Sequence, residues 1–160
     1  MNTTEVLGSC KLFACLREEQ LQRLLPLCSR RNAQEGDLLF SQGQPARHLY
    51  VVAEGRAALD LVVQRHDGYG YSNPATVAIE GPGEAFGWSA IVEPHKMTLS
   101  ARSIGPSSFI LVDGPCLKEL LQRHKDIGFP FMTALSQLLA ERLIQTREAL
   151  LYERGLAIRV

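Results

Sequence analysis

Apolar residues near the amino terminus recur with the spacing of an amphipathic helix. Between residues 12 and 27 they fall three or four positions apart, with charged and amide side chains between them. This is the pattern of a helix with one buried face. Pro26 marks its end, because proline interrupts the hydrogen bonds of a helix. We therefore predict that residues 1–29 form a helical segment built on a helix from Leu12 to Leu27.

The pattern changes from residue 30 to residue 113. Apolar residues now come in short runs separated by glycine and proline, which is typical of strands joined by turns. The runs that predict strands are 37–41, 49–53, 57–63, 75–79, 99–101 and 109–112. Regular short strands with glycine turns predict an antiparallel β-roll of the double-stranded jelly-roll type.

The carboxy-terminal part returns to helical spacing. Leu117, Leu120 and Leu121 predict a short helix after residue 113. Pro130 is then placed in the first turn of a longer helix that runs to about Arg154. At about 1.5 Å per residue this helix is more than about 30 Å long, which exceeds what a small roll can cover.

The surplus length of the last helix predicts a homodimer. Its apolar residues repeat at intervals of three and four, and an apolar stripe left uncovered on one molecule is most simply covered by a second copy. We place Leu135, Leu139 and Leu143 in the dimer seam. Residues 114–160 are thus the helical part of a single domain that is mainly β with flanking helices.

Charge and apolar content limit the classes of partner. Lys and Arg together number 17, as do Asp and Glu, so the chain lacks the basic excess that holds nucleic acid, and we predict no direct binding to it. No window approaches the roughly 20 apolar residues of a membrane span, and the first residues lack the features of a signal peptide. We predict a cytoplasmic protein without membrane contact. Its four cysteines are interpreted as small buried hydrophobic residues.

A glycine-containing turn over residues 83–90 is the strongest candidate for a binding site. Its sequence, GEAFGWSA, combines the end of a strand with the start of a helix. Backbone N–H groups at such a helix start are free to bind an anion, and the helix dipole adds positive potential. Lys96 is the nearest candidate cation.

Three segments resemble the cyclic nucleotide-binding domain family, the sensor module of catabolite-activator-type regulators and of the regulatory subunit of protein kinase A. They are GDLLFSQG at 36–43, HLYVVAEG at 48–55 and the turn at 83–90. In the turn, Phe86, Gly87 and Ala90 match the family's phosphate-binding cassette, which reads Phe-Gly-Glu-Leu-Ala, then a loop, then Arg followed by Ser or Ala. The resemblance spans about residues 12–151. It implies a ligand site made of Phe86, Gly87, Trp88, Ser89, Ala90, Lys96, Met97 and Thr98.

Two positions of this cassette depart from the family pattern. Trp88 stands where the family has the Glu that holds the ribose hydroxyl, and Lys96 or Met97, depending on the loop length, replaces the Arg that pairs with the cyclic phosphate. Each lost charge-assisted contact removes roughly 1.5–3 kcal/mol of binding free energy. We therefore predict no tight binding of cAMP or cGMP. The implied ligand is a weakly bound cyclic nucleotide or another small anionic molecule.

The resemblance implies a regulatory sensor and not an enzyme. A ligand at the turn would move the last helix, and a protein partner would detect the change. Two other functions remain open. One is an interaction module that binds no ligand because Trp88 fills the pocket. The other is a metal-dependent enzyme of the cupin type that uses His48 and Glu54, although Tyr50 stands where a second His is needed; we predict no metal and no certain cofactor.

Two further features are the polar stretch at residues 65–74 and the end of the last helix. Residues 65–74 are polar and rich in glycine, which predicts a flexible hairpin tip with exposed tyrosines. Transcription-factor relatives continue into a helix-turn-helix domain after the last helix. The resemblance therefore implies either a free-standing sensor or the sensor part of a longer regulator.

Overall fold

The computed structural model describes residues 1–63 and 73–155. This part of the chain contains six antiparallel strands: β1 (Cys28–Ala33), β2 (Leu38–Phe40), β3 (His48–Leu61), β4 (Ala75–Glu80), β5 (Ala85–Phe86) and β6 (Ser100–Asp113). Their order is β1, β6, β3, β4, with β2 paired to β6 and β5 paired to β3. The flanking helices are α1 (Thr3–Ser9), α2 (Glu18–Leu24), α3 (Gly114–Arg123) and α4 (Lys125–Glu153). The predicted fold class, an antiparallel β-roll with flanking helices, is confirmed; the predicted hairpin tip lies largely outside the described residues.

Strands β3 and β6 each join two segments that the pattern predicted as separate strands. The two strands pair with each other over almost their whole length, from His48 opposite Asp113 to Asp60 opposite Ser100. The register shifts on both sides of Glu54, so bulges replace the turn that the polar residues there indicated. A bulge lets a strand bend and continue. The single pair β3 and β6 therefore runs through the whole length of the roll.

Both faces of β3 are buried, and this divides the core into two parts. Leu49 and Val51 pack on the side of the helices, whereas Tyr50 and Val52 pack inside the roll. Successive side chains of a strand point to opposite faces, so a continuous apolar run serves two layers. Tyr50 stacks on Phe86 inside the roll, with ring centroids 5.2 Å apart.

The predicted helix over residues 12–27 is wrong in its extent. Helix α1 begins earlier, at Thr3, where the side chain of Asn2 accepts a hydrogen bond from the backbone N–H of Glu5 at 2.9 Å. Helix α2 spans Glu18–Leu24 and a 3₁₀ turn continues it over Leu25–Leu27, so the predicted end agrees with the structure and the predicted start does not. Leu12 and Phe13 lie in turns between the two helices and are buried in the helix-side core. Their helical spacing reflects tertiary burial in a turn, which periodicity alone cannot distinguish from a helix.

Helix α4 begins at Lys125, so Pro130 lies inside it and not in its first turn. Proline has no N–H, which leaves the carbonyl of Asp126 without its usual partner four residues later. The side-chain amide of Gln20 donates to that carbonyl at 3.1 Å. Gly128 permits close packing of α3 on α4, because a Cβ there would lie 2.2 Å from the carbonyl oxygen of Leu121.

Among the helices of residues 1–63 and 73–155, none has the length and apolar content needed to cross a membrane.

Candidate ligand-binding site

The turn after β5 is a single turn of 3₁₀ helix. Gly87 precedes it with a φ of 78°, a left-handed conformation that glycine adopts without a steric penalty. The N–H groups of Ala90 and Ile91 donate to the carbonyls of Gly87 and Trp88, each at 3.0 Å. The sequence predicted the end of a strand and the start of a helix here, and the helix is a 3₁₀ turn of three residues, Trp88–Ala90. Three residues provide no dipole comparable to that of an α-helix, so the electrostatic argument for an anion at this turn is weakened.

Met97 fills the space beside the turn. Its side chain is 4% exposed, and its Cε lies 3.6 Å from the position that a Cβ of Gly87 would occupy. Tyr50 approaches the same position to 3.3 Å. A cavity of about 30 Å³ remains, far below the roughly 300–1,000 Å³ of pockets that hold small molecules. The turn as folded has no room for a nucleotide.

The neighbours of Met97 on both sides are exposed. Lys96 forms an isolated antiparallel bridge with Pro45, and the N–H of Met97 donates to the carbonyl of Gln44 at 2.9 Å. This pairing directs Met97 inward, so it is Met97 and not Lys96 that contacts the turn. Thr98 lines the small cavity. A ligand-binding role for Lys96 or Thr98 stays a prediction.

Trp88 is half-buried and lies at the boundary between two cavities. It packs against the helix-side core and lines both the small cavity and a larger one. The hypothesis that Trp88 fills the pocket therefore needs correction, because Met97, Tyr50 and Phe86 occupy the space beside the turn.

The larger cavity has a volume of about 590 Å³ and lies between the roll and α4. This volume is within the range of small-molecule sites. Its walls comprise Leu59, Ala75, Thr76, Val77, Ala78 and Glu80 from the roll, Trp88 and Leu99 from either end of the cassette loop, and Arg142, Gln145, Thr146, Ala149, Leu150 and Glu153 from α4. Sequence reasoning missed this site except for Trp88, because its walls come from segments far apart in the chain.

A buried ion pair closes one end of the larger cavity. The side chain of Glu80 is fully buried, and Nη2 of Arg142 donates to both of its carboxylate oxygens. Burial raises the pKa of Glu80 above its ordinary value of 4.5, although the charge of Arg142 acts in the opposite direction. The pair joins the edge strand β4 to the last helix, so the cavity wall and the position of α4 are linked.

Arg102 of β6 is the arginine that follows the cassette loop, and its side chain is directed away from the turn. Its Nε donates to Asp60 at 2.8 Å, and Asp60 also accepts from the hydroxyl of Thr76 at 2.7 Å. Alternation along a strand does not by itself tell which face Arg102 is on, and this ion pair decides it. The carboxylate of Asp60 neutralises the guanidinium charge.

The four cysteines divide into two groups. Cys10 is buried and Cys28 is half-buried, and burial raises the pKa of each thiol to about 11. Cys15 and Cys116 are exposed, so the interpretation of all four as buried residues is wrong for these two.

The residues considered for a metal site lie in different environments. Tyr50 packs in the aromatic core of the roll, and Glu54 is exposed at the bulge of β3. Within the described ranges, no group of three or more His, Cys, Asp or Glu side chains is arranged to hold a metal ion.

The three leucines predicted to form a dimer seam lie in different environments. Leu135 is 1% exposed and belongs to the helix-side core, so its assignment to a seam is wrong. Leu139 is half-buried, whereas Leu143 is 71% exposed. The exposed large apolar side chains of α4 are Phe129, Met132, Leu143, Ile144, Leu150 and Tyr152.

Comparison with known proteins gives the same architecture. A cyclic nucleotide-binding domain from Methylobacillus flagellatus has a TM-score of 0.76 at 20% identity, covering 98% of this chain and 84% of that one. The catabolite activator protein of Thermus thermophilus has a TM-score of 0.71 at 26% identity, covering 88% and 61%. A Rhodopseudomonas palustris protein named as a candidate potassium channel is 23% identical over 117 residues, which are 73% of this chain. The chain spans only 26% of the length of that curated relative.

The match to a family model covers most of the roll. Residues 30–124 fit the model of the cyclic nucleotide-binding domain, a range that includes the sheet, the glycine turn and α3. The family is regulatory and sensory in character. With more than half of its residues matched, the chain belongs to the cyclic nucleotide-binding domain family.

Proposed function

We propose that this chain is a regulatory sensor whose ligand occupies the cavity between the roll and α4. The observation that supports this most directly is the shared wall. Leu59 and Thr76 of the roll border the same space as Gln145 and Ala149 of α4. A ligand in that space makes different contacts in each position of α4, and it therefore shifts the balance between those positions.

The way α4 is held supports movement of its second half. Its buried residues are Ile127, Gly128, Phe131 and Leu135, all in the first half. Beyond these, Arg142 attaches the helix to Glu80 of β4. Beyond Arg142, residues 143–153 are exposed or half-buried, and a segment with few buried contacts changes position at low free-energy cost. A ligand would supply the apolar contacts that this segment lacks.

Hydrogen exchange of the whole chain tests the proposal. Exchange of the amides over residues 138–153 is measured alone and with three probes: cAMP, cGMP and the neutral aromatic compound N-phenyl-1-naphthylamine. A probe that binds should slow exchange in this segment and leave residues 125–135 unchanged, since the first half of α4 is already packed. A probe that binds without changing residues 138–153 would contradict the sensor function.

The exposed stripe on α4 supports a homodimer and favours the second candidate function, an interaction module. Phe129, Met132, Leu139 and Leu143 follow one another at intervals of three, seven and four residues and are exposed or half-buried. This spacing places them on one side of the helix, as in two-stranded helix packing. The stripe borders the side that faces the roll, so a second copy could pack on α4 without displacing the core.

Leu143→Glu should convert the dimer to a monomer, because a charge would be buried in the seam without a partner. Gln137→Glu, which adds the same charge on another side of α4, is the matched control and should leave the dimer intact. Light scattering measures both masses. An unmodified chain that is monomeric at every accessible concentration would rule out the seam.

A further inference from the structure

We infer that the ligand of the cavity beside α4 is a neutral, largely apolar molecule with a flat ring system, and not a cyclic nucleotide or another anion. This inference rests on the proposed sensor function and concerns the same cavity. It replaces the anionic ligand that the resemblance implied.

The walls of the cavity favour an apolar ligand. Eight of the fourteen residues that line it are Ala, Leu, Val or Trp. Ala78 of β4 and Ala149 of α4 are small, which leaves the space between these elements open. Trp88 is the aromatic residue in this wall, and aromatic rings pack in offset or edge-to-face arrangements with other flat rings. A ring system beside Trp88 would bury apolar surface on both partners.

The charges around the cavity disfavour an anion. Arg142 is the one cationic residue in the wall as described, and it is bound to the buried carboxylate of Glu80. Drawing Arg142 away to a phosphate would leave a buried carboxylate unpaired, which is strongly unfavourable. Nη2 of Arg102 donates to the hydroxyl of the wall residue Thr76 at 3.4 Å, but the charge of Arg102 is held by Asp60. A phosphate entering this cavity would therefore find no cation free to pair with it among these side chains.

The polar groups on α4 suit an uncharged hydrogen-bonding group on the ligand. The hydroxyl of Thr146 donates to the carbonyl of Arg142 at 2.8 Å, and its oxygen can still accept a hydrogen bond. Gln145 offers both a donor and an acceptor on the same wall. A carbonyl, amide or phenol at the edge of the ring system fits these two residues.

Titration of the whole chain with a neutral and an anionic probe tests the ligand class. N-phenyl-1-naphthylamine should bind with increased emission and quench Trp88, the only tryptophan in the chain. It should bind at least about tenfold more tightly than cAMP, a difference that is easily resolved.

A matched pair of variants locates the bound probe. Ala149→Phe narrows the cavity and should weaken binding of N-phenyl-1-naphthylamine by roughly tenfold, the usual effect of a steric misfit in an apolar pocket. Ala140→Phe should not change it, because residues 140 and 149 are about two and a half helical turns apart and so lie on opposite sides of α4. Unfolding temperatures of both variants show that each is folded.

The outcomes separate this inference from the sensor function. Tighter binding of cAMP than of the neutral probe would overturn the ligand class and leave the sensor standing. If Ala149→Phe and Ala140→Phe weaken probe binding equally, or if neither weakens it, the assignment of the probe to this cavity is overturned. If no probe binds and hydrogen exchange of α4 is unchanged, the sensor function fails and this inference fails with it.

Discussion

The space beside the glycine turn and the space beside α4 have opposite character. At the turn, Met97, Tyr50 and Phe86 leave a cavity of about 30 Å³, whereas the cavity beside α4 measures about 590 Å³. Met97, one of the two residues that can stand where the family pattern has an arginine, adds an apolar side chain to the core. The difference teaches that apolar side chains can fill the space on one side of Trp88 and Leu99 while the adjoining space on the other side stays open.

The largest change in the free energy of unfolding is expected at the Glu80–Arg142 ion pair, which lies at one end of the cavity beside α4. Arg142→Met should lower the free energy of unfolding by about 3–5 kcal/mol, because the buried carboxylate of Glu80 would lose its partner. Denaturant unfolding measures the change. Arg147→Met, which removes an exposed arginine from the same helix, is the control and should change stability by less than about 0.5 kcal/mol.

A double replacement sharpens this result. Glu80→Leu combined with Arg142→Met removes both charges, and apolar replacement of a buried pair is often neutral or stabilising. The double variant should therefore be more stable than Arg142→Met alone. If the two are equally unstable, the loss comes from packing and not from an unpaired charge.

An intermediate effect is expected at the filled turn. Met97→Ala should lower the free energy of unfolding by about 3 kcal/mol, as found for methionines in tight cores. Leu99→Ala, at the half-buried residue two positions later that lines both cavities, should cost about 1 kcal/mol, because less apolar surface is lost. Denaturant unfolding of both variants compares the two spaces directly. Equal losses would show that the turn is no better packed than the open cavity.

The smallest effect is expected in the pH dependence of stability. Burial raises the pKa of Glu80 above 4.5 in the folded chain, so the folded state keeps this proton at pH values where the unfolded chain has lost it. The resulting contribution to stability is complete below the unfolded pKa and is lost as the pH rises through the folded pKa. Over that interval the unmodified chain should lose stability relative to Glu80→Gln, as measured by urea unfolding at several pH values. A gain in relative stability would show that Arg142 outweighs burial.

Local sequence signals predicted the roll well and the N-terminal helices less well. Glycines and short apolar runs identified most strands, and Phe86 and Gly87 located the turn, because these features depend on neighbouring residues. The polar residues around Glu54 suggested a turn, since a bulge has no local signal that distinguishes it. Leu12 and Phe13 kept helical spacing within turns because tertiary packing, and not local periodicity, buries them.

The cavity beside α4 could not be predicted, because its walls are brought together by contacts between segments far apart in the sequence. By its charge alone, Arg142 is expected on the solvent side of the last helix. Its spacing from Leu135 and Leu138 nevertheless puts it on the side that faces the roll, a signal that was available. The partner, Glu80, lies 62 residues away in the chain. Only the folded sheet brings the two together, and the same is true of the apolar walls.

The bond between Gln20 and the carbonyl that Pro130 leaves free gives α4 a fulcrum. Because α2 holds the helix near Asp126, and Leu135 anchors the next two turns, any swing of α4 must occur beyond that point. Beyond the ion pair of Arg142, the part from residue 143 to residue 153 would act in the proposed sensor as a lever arm about 15 Å long at about 1.5 Å per residue. A tilt of about 15° would displace its tip by about 4 Å, so a small adjustment at the cavity would become a movement large enough for a partner to detect.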